Sequence, residues 1–185
     1  MSTSVMHPDF SVLSMTELRN APGEVLDRVA TKGEAFIIER NGDRKACLVP
    51  LSLFFPDISP ARLAAEFTEL ERHNELVRTT FTDQREIALR FKHSISTKPN
   101  LEVTIILPNG YPHQCPRVYA GDLGKRVPHR WSDGSLCIFG VMTTWNPGKH
   151  TVYSTLRLAR RWLDRFDVWQ KSGRWPKSEV VDERR

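Results

Sequence analysis

The chain has 185 residues, 39% of them hydrophobic and 26% charged, with a net charge of +5 and three cysteines. That balance is the composition of a globular protein and excludes a collagen-like or wholly disordered chain. No apolar run reaches the length of a bilayer span, the N-terminal MSTSVMHPDFSV lacks the charged start and apolar core of a signal peptide, and three cysteines make no disulfide framework, so a cytoplasmic protein with reduced thiols and no membrane contact is expected.

The first half reads in order as strand, helix and hairpin. FSVLSM predicts a short strand. TELRNAPGEVLDRVATKG predicts a helix capped by Thr16, with Leu18, Val25, Leu26 and Val29 at helical spacing and a kink at Asn20 and Pro22 where a second helix restarts. EAFIIERNGDRKACLVPLSLF gives two strand-like runs around Asn41-Gly42, the dipeptide a tight hairpin favours because both residues tolerate positive φ. Cys47, in the second run, is expected to be a buried apolar filler.

FFPDISP, residues 54–60, carries two prolines and forms the expected joint. It separates a domain of residues 1–56 from one of residues 57–177, followed by a polar tail, 178–185, expected to be disordered. The domain after the joint opens with a long helix, capped by Ser59 and started by Pro60, whose apolar stripe is Leu63, Phe67, Leu70, Val77 and Phe81. EIALRFKHSI and LEVTIILP predict two strands joined through STKPN, and RVYAG a shorter third. A last helix places Val152, Leu156, Ala159, Leu163 and Phe166 on one face, and Arg157, Arg160, Arg161 and Arg165 are read as a solvated face.

Charge divides along the same line. Residues 1–56 carry six basic and seven acidic side chains, giving −1; residues 57–185 carry 21 basic and 15 acidic, giving +6. The bias suits an acidic partner surface and falls short of the dense basic stripe of a dedicated nucleic-acid binder.

The chemistry concentrates in VPHRWSDGSLCIFGVMTTWNP, residues 127–147. On residue type alone, Cys137 is a nucleophile, a metal ligand or a core residue. His113, Cys115, His129 and Cys137 offer two nitrogens and two sulfurs, but thirteen residues separate Cys115 from His129 and seven separate His129 from Cys137, which fits no common zinc pattern. No metal and no cofactor are therefore expected.

The stretch MTELRNAPGEVLDRVATKGEAFIIERNGDRKACLVPLSLF resembles the prevent-host-death antitoxin family, over about residues 11–55. The resemblance implies a small α/β module that forms a homodimer and binds DNA, with Arg19, Arg28, Arg44 and Lys45 as the candidate phosphate contacts. A second globular domain stands where that family carries a flexible toxin-wrapping segment, and the −1 charge favours dimerisation over DNA binding.

Residues 60–177 are similar to the ubiquitin-conjugating enzyme family. Tyr111, Pro112 and Pro116 match its Tyr-Pro-x-x-x-Pro turn. Val127, Pro128 and His129 stand at its His-Pro-Asn element, Gly134 and Cys137 at its Gly-x-x-Cys, and Trp145 and Pro147 at its tryptophan and proline beyond the cysteine. WLDRFDVWQKSGRWP looks like the ending of bacterial members found in anti-phage and ubiquitin-like conjugation operons. The resemblance implies an α+β, ubiquitin-conjugating-like fold: N-terminal helix, antiparallel meander sheet, catalytic-cysteine loop and C-terminal helix, here preceded by the small antitoxin-like module. One strand is missing from that order between the long helix and the Tyr-Pro turn.

It also implies a function. Cys137 would accept a ubiquitin-like protein, or the C-terminus of a cyclic-nucleotide synthase, as a thioester from an activating enzyme and pass it to an amine. His129, in place of asparagine, would support the oxyanion, act as a general base or brace the loop. Asp133-Gly134 would form a tight turn ahead of the cysteine, and Trp145 and Pro147 would pin the loop after it. Asp164 and Asp167 are candidates for orienting the attacking amine. The competing expectation is a dimerising, DNA-binding regulator whose second domain recognises a partner without catalysis.

Overall fold

A computed structural model describes residues 10–54, 58–124, 126–140 and 143–176; the expected tail, 178–185, lies outside them. The contacts divide the chain into two compact units that part between Pro60 and Ala61.

In the first unit, β1 (Phe10–Ser14), α1 (Met15–Asn20), α2 (Pro22–Lys32), β2 (Ala35–Arg40) and β3 (Asp43–Leu48) are followed by one turn of helix, α3 (Leu51–Phe54). β1 pairs parallel with β2, and β2 pairs antiparallel with β3. Leu13, Val25, Val29, Phe36 and Ile38 form the core, with Leu18 and Leu48 packed against it. Asn41 and Gly42 both take positive φ, 54° and 80°, as the hairpin requires.

Several expectations fail here for local reasons. The helix cap is Ser14, not Thr16. Ser14 is still extended, its hydroxyl accepts the Glu17 N–H and the Glu17 carboxylate accepts the Ser14 N–H, a reciprocal capping box. Leu26 is exposed rather than in the core. LVPLSLF does not continue the strand, because β3 stops before Pro50 and the chain turns into α3. Cys47 is exposed, not buried. Phe36 pairs with Leu48 and Ile37 with Cys47, so strand alternation that turns Leu48 inward turns Cys47 out.

The second unit runs α4 (Pro60–Arg72), β4 (Arg78–Phe81), β5 (Ile87–Ile95), β6 (Lys98–Leu107), β7 (Arg117–Ala120) and α5 (Val152–Ser172). The four strands form an antiparallel meander in chain order, and α5 lies against β5 and β6. Leu101, Val103, Ile105 and Leu107 alternate inward along β6 and meet the buried stripe of α5, which includes Val152, Leu156, Ala159, Leu163 and Phe166. The fold is α+β.

β4 is the strand that the sequence reading lacked. The long helix ends at Arg72 because Asn74 enters the left-handed region (φ 53°) and the Glu75 N–H closes onto the Leu70 carbonyl. Val77 and Phe81 therefore leave the helix. Phe81 instead ends a strand whose Thr79 and Thr80 suit an extended backbone, and Arg78–Phe81 pairs with Ile87–Arg90.

Candidate functional site around Cys137

Among its described residues the segment between β7 and α5 forms no strand or helix, so its backbone groups must be satisfied individually. Ahead of Cys137 this is done largely by the main chain, with Arg130 Nε and Nη2 donating to the Gly134 carbonyl at 2.9 and 2.7 Å. Leu136 N–H donates to the Val118 carbonyl of β7 at 2.7 Å, and Cys137 N–H donates to the His129 carbonyl at 2.9 Å. Between them, Trp131 N–H reaches the Ser135 carbonyl and Gly134 N–H the Trp131 carbonyl, both at 2.9 Å. Gly134 sits at φ +85°, a conformation that costs a residue with a Cβ. Asp133 accepts from the Ser135 N–H and hydroxyl, which holds its carboxyl below the usual range.

Behind Cys137 the work is done by side chains. Glu66 of α4 is 3% exposed and accepts three hydrogen bonds, from α4, the Tyr-Pro turn and α5. The Tyr111 hydroxyl donates to it, Arg62 Nε donates at 2.6 Å, and the first N–H of α5, from Val152, donates at 2.7 Å. A carboxylate at a helix N-terminus also complements the helix dipole. Arg62 in turn donates to the carbonyls of Pro147 (2.9 Å) and His150 (2.8 Å). Tyr111 is wholly buried, and burial followed by the Glu66 carboxylate pushes its hydroxyl far above the ordinary tyrosine range. Trp145 Nε1 donates to the Pro112 carbonyl at 2.7 Å, and its ring meets Phe139 edge-on at 5.1 Å. This clasp ties α4, the Tyr-Pro turn, the Trp145–Pro147 segment and the start of α5 together.

Cys137 stands between these two flanks, half-buried, with Sγ 4.0 Å from the Phe139 carbonyl. Burial pushes its thiol up from the ordinary cysteine value. A Cβ placed on Gly140 would lie 3.6 Å from Sγ, so glycine leaves that side of the thiol uncovered. Cys115 is also half-buried, and burial raises its thiol to about 11.

His129 has φ +55°, a region that asparagine, aspartate and histidine enter more readily than other side chains. Its carbonyl accepts from both Cys137 N–H and Trp162 Nε1, the latter at 3.1 Å. Its ring lies against Trp175, 4.6 Å between centroids, and Trp175 lies against Trp162 at 5.2 Å. Sequence reasoning did not single out Trp175, Arg62 or Glu66. A signal for Glu66 existed: an acid three residues after Leu63 and four before Leu70 sits on the apolar stripe of its helix.

The structure commits the other candidates elsewhere. Asp164 meets His93 at 2.9 Å, and Asp167 accepts from Ser96 and Lys171, so both hold the β5–β6 turn. In the first unit, Arg28 is tied to Glu34 and Lys45 to Asp43. Among the described residues no group of three or more His, Cys, Asp or Glu side chains is placed to hold a metal ion, and no helix is long and apolar enough to cross a membrane.

Comparison with known proteins follows the same division. Residues 11–54 match the family model of the antitoxin Phd_YefM of type II toxin–antitoxin systems. A crystal structure of ubiquitin conjugating enzyme E2 from Plasmodium falciparum is similar at 17% identity and a TM-score of 0.43, over 68% of this chain and 92% of that one. No curated protein matches the chain. Residues 61–183 match the family model described as type II CBASS E2 protein. With well over half its length so matched, the chain belongs to the type II CBASS E2 family, whose role in bacterial defence is of the ubiquitin-conjugation kind.

Proposed function

We propose that the protein is a thioester-forming carrier. Cys137 accepts the C-terminal acyl group of a ubiquitin-like protein, or of a cyclic-nucleotide synthase, from an activating enzyme and transfers it to an amine of a target. The observation that carries this reading is the setting of Cys137: a half-buried thiol on an irregular loop, fixed on one side by the His129 carbonyl and on the other by the clasp. A core cysteine needs no such frame.

The raised thiol does not oppose the reading. The thiolate is the nucleophile, and burial keeps its fraction small at neutral pH. A thioester donor is already activated, and exchange between two thioesters needs little driving force. Because the thiol, not a low-pKa thiolate, predominates, alkylation of Cys137 should accelerate through pH 8 rather than level off near pH 6. His129 enters as the residue that positions the loop through its carbonyl and left-handed backbone. Pro128, Asp133, Gly134, Trp145, Pro147, Tyr111, Pro112 and Pro116 shape the frame.

Incubation with the activating enzyme and candidate donors tests the proposal. A thiol-labile adduct should form on the full chain, vanish in Cys137→Ala and persist in Cys47→Ala. Loss of the adduct in Cys47→Ala instead would overturn the assignment.

The match of residues 11–54 favours a second reading, that the first unit dimerises the carrier or attaches it to DNA. Retention of operator DNA by the full chain, lost on substitution of Arg19 and Arg44, would support the DNA arm. A monomer that does not shift DNA removes both arms.

A further inference from the structure

A cavity of about 390 Å³ opens beside Cys137, between the turn ahead of the cysteine and the Trp145 segment behind it. Trp131, Leu136, Phe139 and Trp145 give it aromatic and aliphatic walls. Arg117 and Asp133 also line it; Arg117 is paired with Glu86, while Asp133 keeps its negative charge. Arg117 Nη2 is held by both oxygens of Glu86 at 2.7 and 2.9 Å, and Asp133 accepts from Ser135 and from the Tyr119 hydroxyl. Apart from these groups the cavity presents mostly apolar surface, of a size at the lower end of small-ligand sites.

Its position relative to the thiol is defined by two shared residues. Phe139 and Gly140 line the cavity and both approach Sγ: the Phe139 carbonyl oxygen lies 4.0 Å from it, and a Cβ built on Gly140 would lie 3.6 Å away. A peptide joined to Sγ through its terminal carbonyl advances about 3.3–3.6 Å per residue when extended. Its side chains alternate in direction, so one among the last few reaches the cavity. Trp131 stands on the rim, 52% exposed, while the hydrogen bonds of its turn fix its backbone. A large rigid aromatic held half in solvent is the residue type that anchors binding surfaces.

We infer that this cavity is a side-chain recognition pocket for the acyl donor: it takes one large apolar side chain from the last few residues before the donor's C-terminal carbonyl. The inference rests on the carrier reading and deepens it, since it names the class of C-terminus that Cys137 accepts. A tail bearing such a side chain is selected over a glycine-only tail, because the bound side chain orients the carbonyl toward Sγ. A covalently held donor also keeps its own side chain at high local concentration beside the pocket, which a free acceptor does not.

The test uses the full chain and synthetic N-acetyl pentapeptide thioesters of mercaptoethanesulfonate. All positions are glycine except one phenylalanine moved through the second, third and fourth places from the C-terminus. In the reaction the Cys137 thiolate attacks the thioester carbonyl, the new C–S bond forms, and mercaptoethanesulfonate leaves as its thiolate. No oxidant and no energy source are needed. Rates of acylation at Cys137 are read by peptide-mapped mass spectrometry, which separates it from Cys47 and Cys115. One phenylalanine position should load about tenfold or more faster than the all-glycine peptide, the scale on which apolar pockets discriminate. That ratio should fall to about twofold or less both in Trp131→Ala, which removes a wall, and in Thr144→Trp, which fills the cavity from an exposed lining position. Because each value is a ratio within one variant, a general change in reactivity cancels. Equal loading of all peptides by the wild-type chain, or a preference that survives in both variants, overturns the pocket and leaves the carrier standing. Failure of every peptide to load Cys137 while Cys47 loads overturns both.

Discussion

The two flanks of Cys137 are held by different kinds of interaction. Ahead of the cysteine, main-chain hydrogen bonds from Trp131, Gly134, Leu136 and Cys137 do most of the work, and Arg130, Asp133 and Trp162 add side-chain bonds to the same backbone. Behind it, three side chains from two distant segments, Arg62, Glu66 and Trp145, hold carbonyls and a helix terminus. A backbone-made flank survives most substitutions, because every residue but proline carries the same N–H and C=O. A clasp made of side chains fails when one of them is removed.

That contrast orders the expected effects. Glu66→Ala should be the most damaging. It leaves the Arg62 guanidinium and the Val152 N–H without their buried acceptor, and breaking a buried ion pair costs about 3–5 kcal/mol, measurable by denaturant unfolding of the full chain. Trp145→Phe keeps an aromatic ring but strands the Pro112 carbonyl, which should cost about 1–3 kcal/mol on the same unfolding curve and slow thioester formation. Gly134→Ala on the other flank meets a φ of +85° and a guanidinium nitrogen at 3.1 Å. Its cost should be about 1–2 kcal/mol, and a stability loss as large as that of Glu66→Ala would erase the contrast. His129→Asn should be the mildest, within about 0.5 kcal/mol of the parent, because asparagine also accepts the left-handed backbone. His129→Val should fall well below it on the same unfolding curve; equal curves would remove the conformational argument.

The contrast also explains what could be read from the residues alone. The backbone-made flank was legible because its constraints are written in punctuating residue types: Pro128 before the turn and Gly134 where positive φ is needed. The clasp was not. Beyond each other, Arg62 and Glu66 find their partners 45 to 88 residues away, and helical periodicity reports only which face they share. β4 was missed because Val77 and Phe81 happen to continue the helical period of α4, while the left-handed turn at Asn74 breaks the helix. Cys47 was misplaced because Ala46, Cys47 and Leu48 are apolar in a row, and such a run does not say which side the helices cover.

The central claim is that Cys137, and neither of the other two cysteines, carries the acyl group. It is tested most directly by reacting the full chain with its activating enzyme, ATP and acyl donor, quenching in acid without thiol, and mapping the modified peptides by mass spectrometry. The account predicts acylation at Cys137 that dithiothreitol removes, with Cys47 and Cys115 unmodified. Acylation confined to Cys47, or a thiol-resistant adduct with Cys137 free, would contradict it.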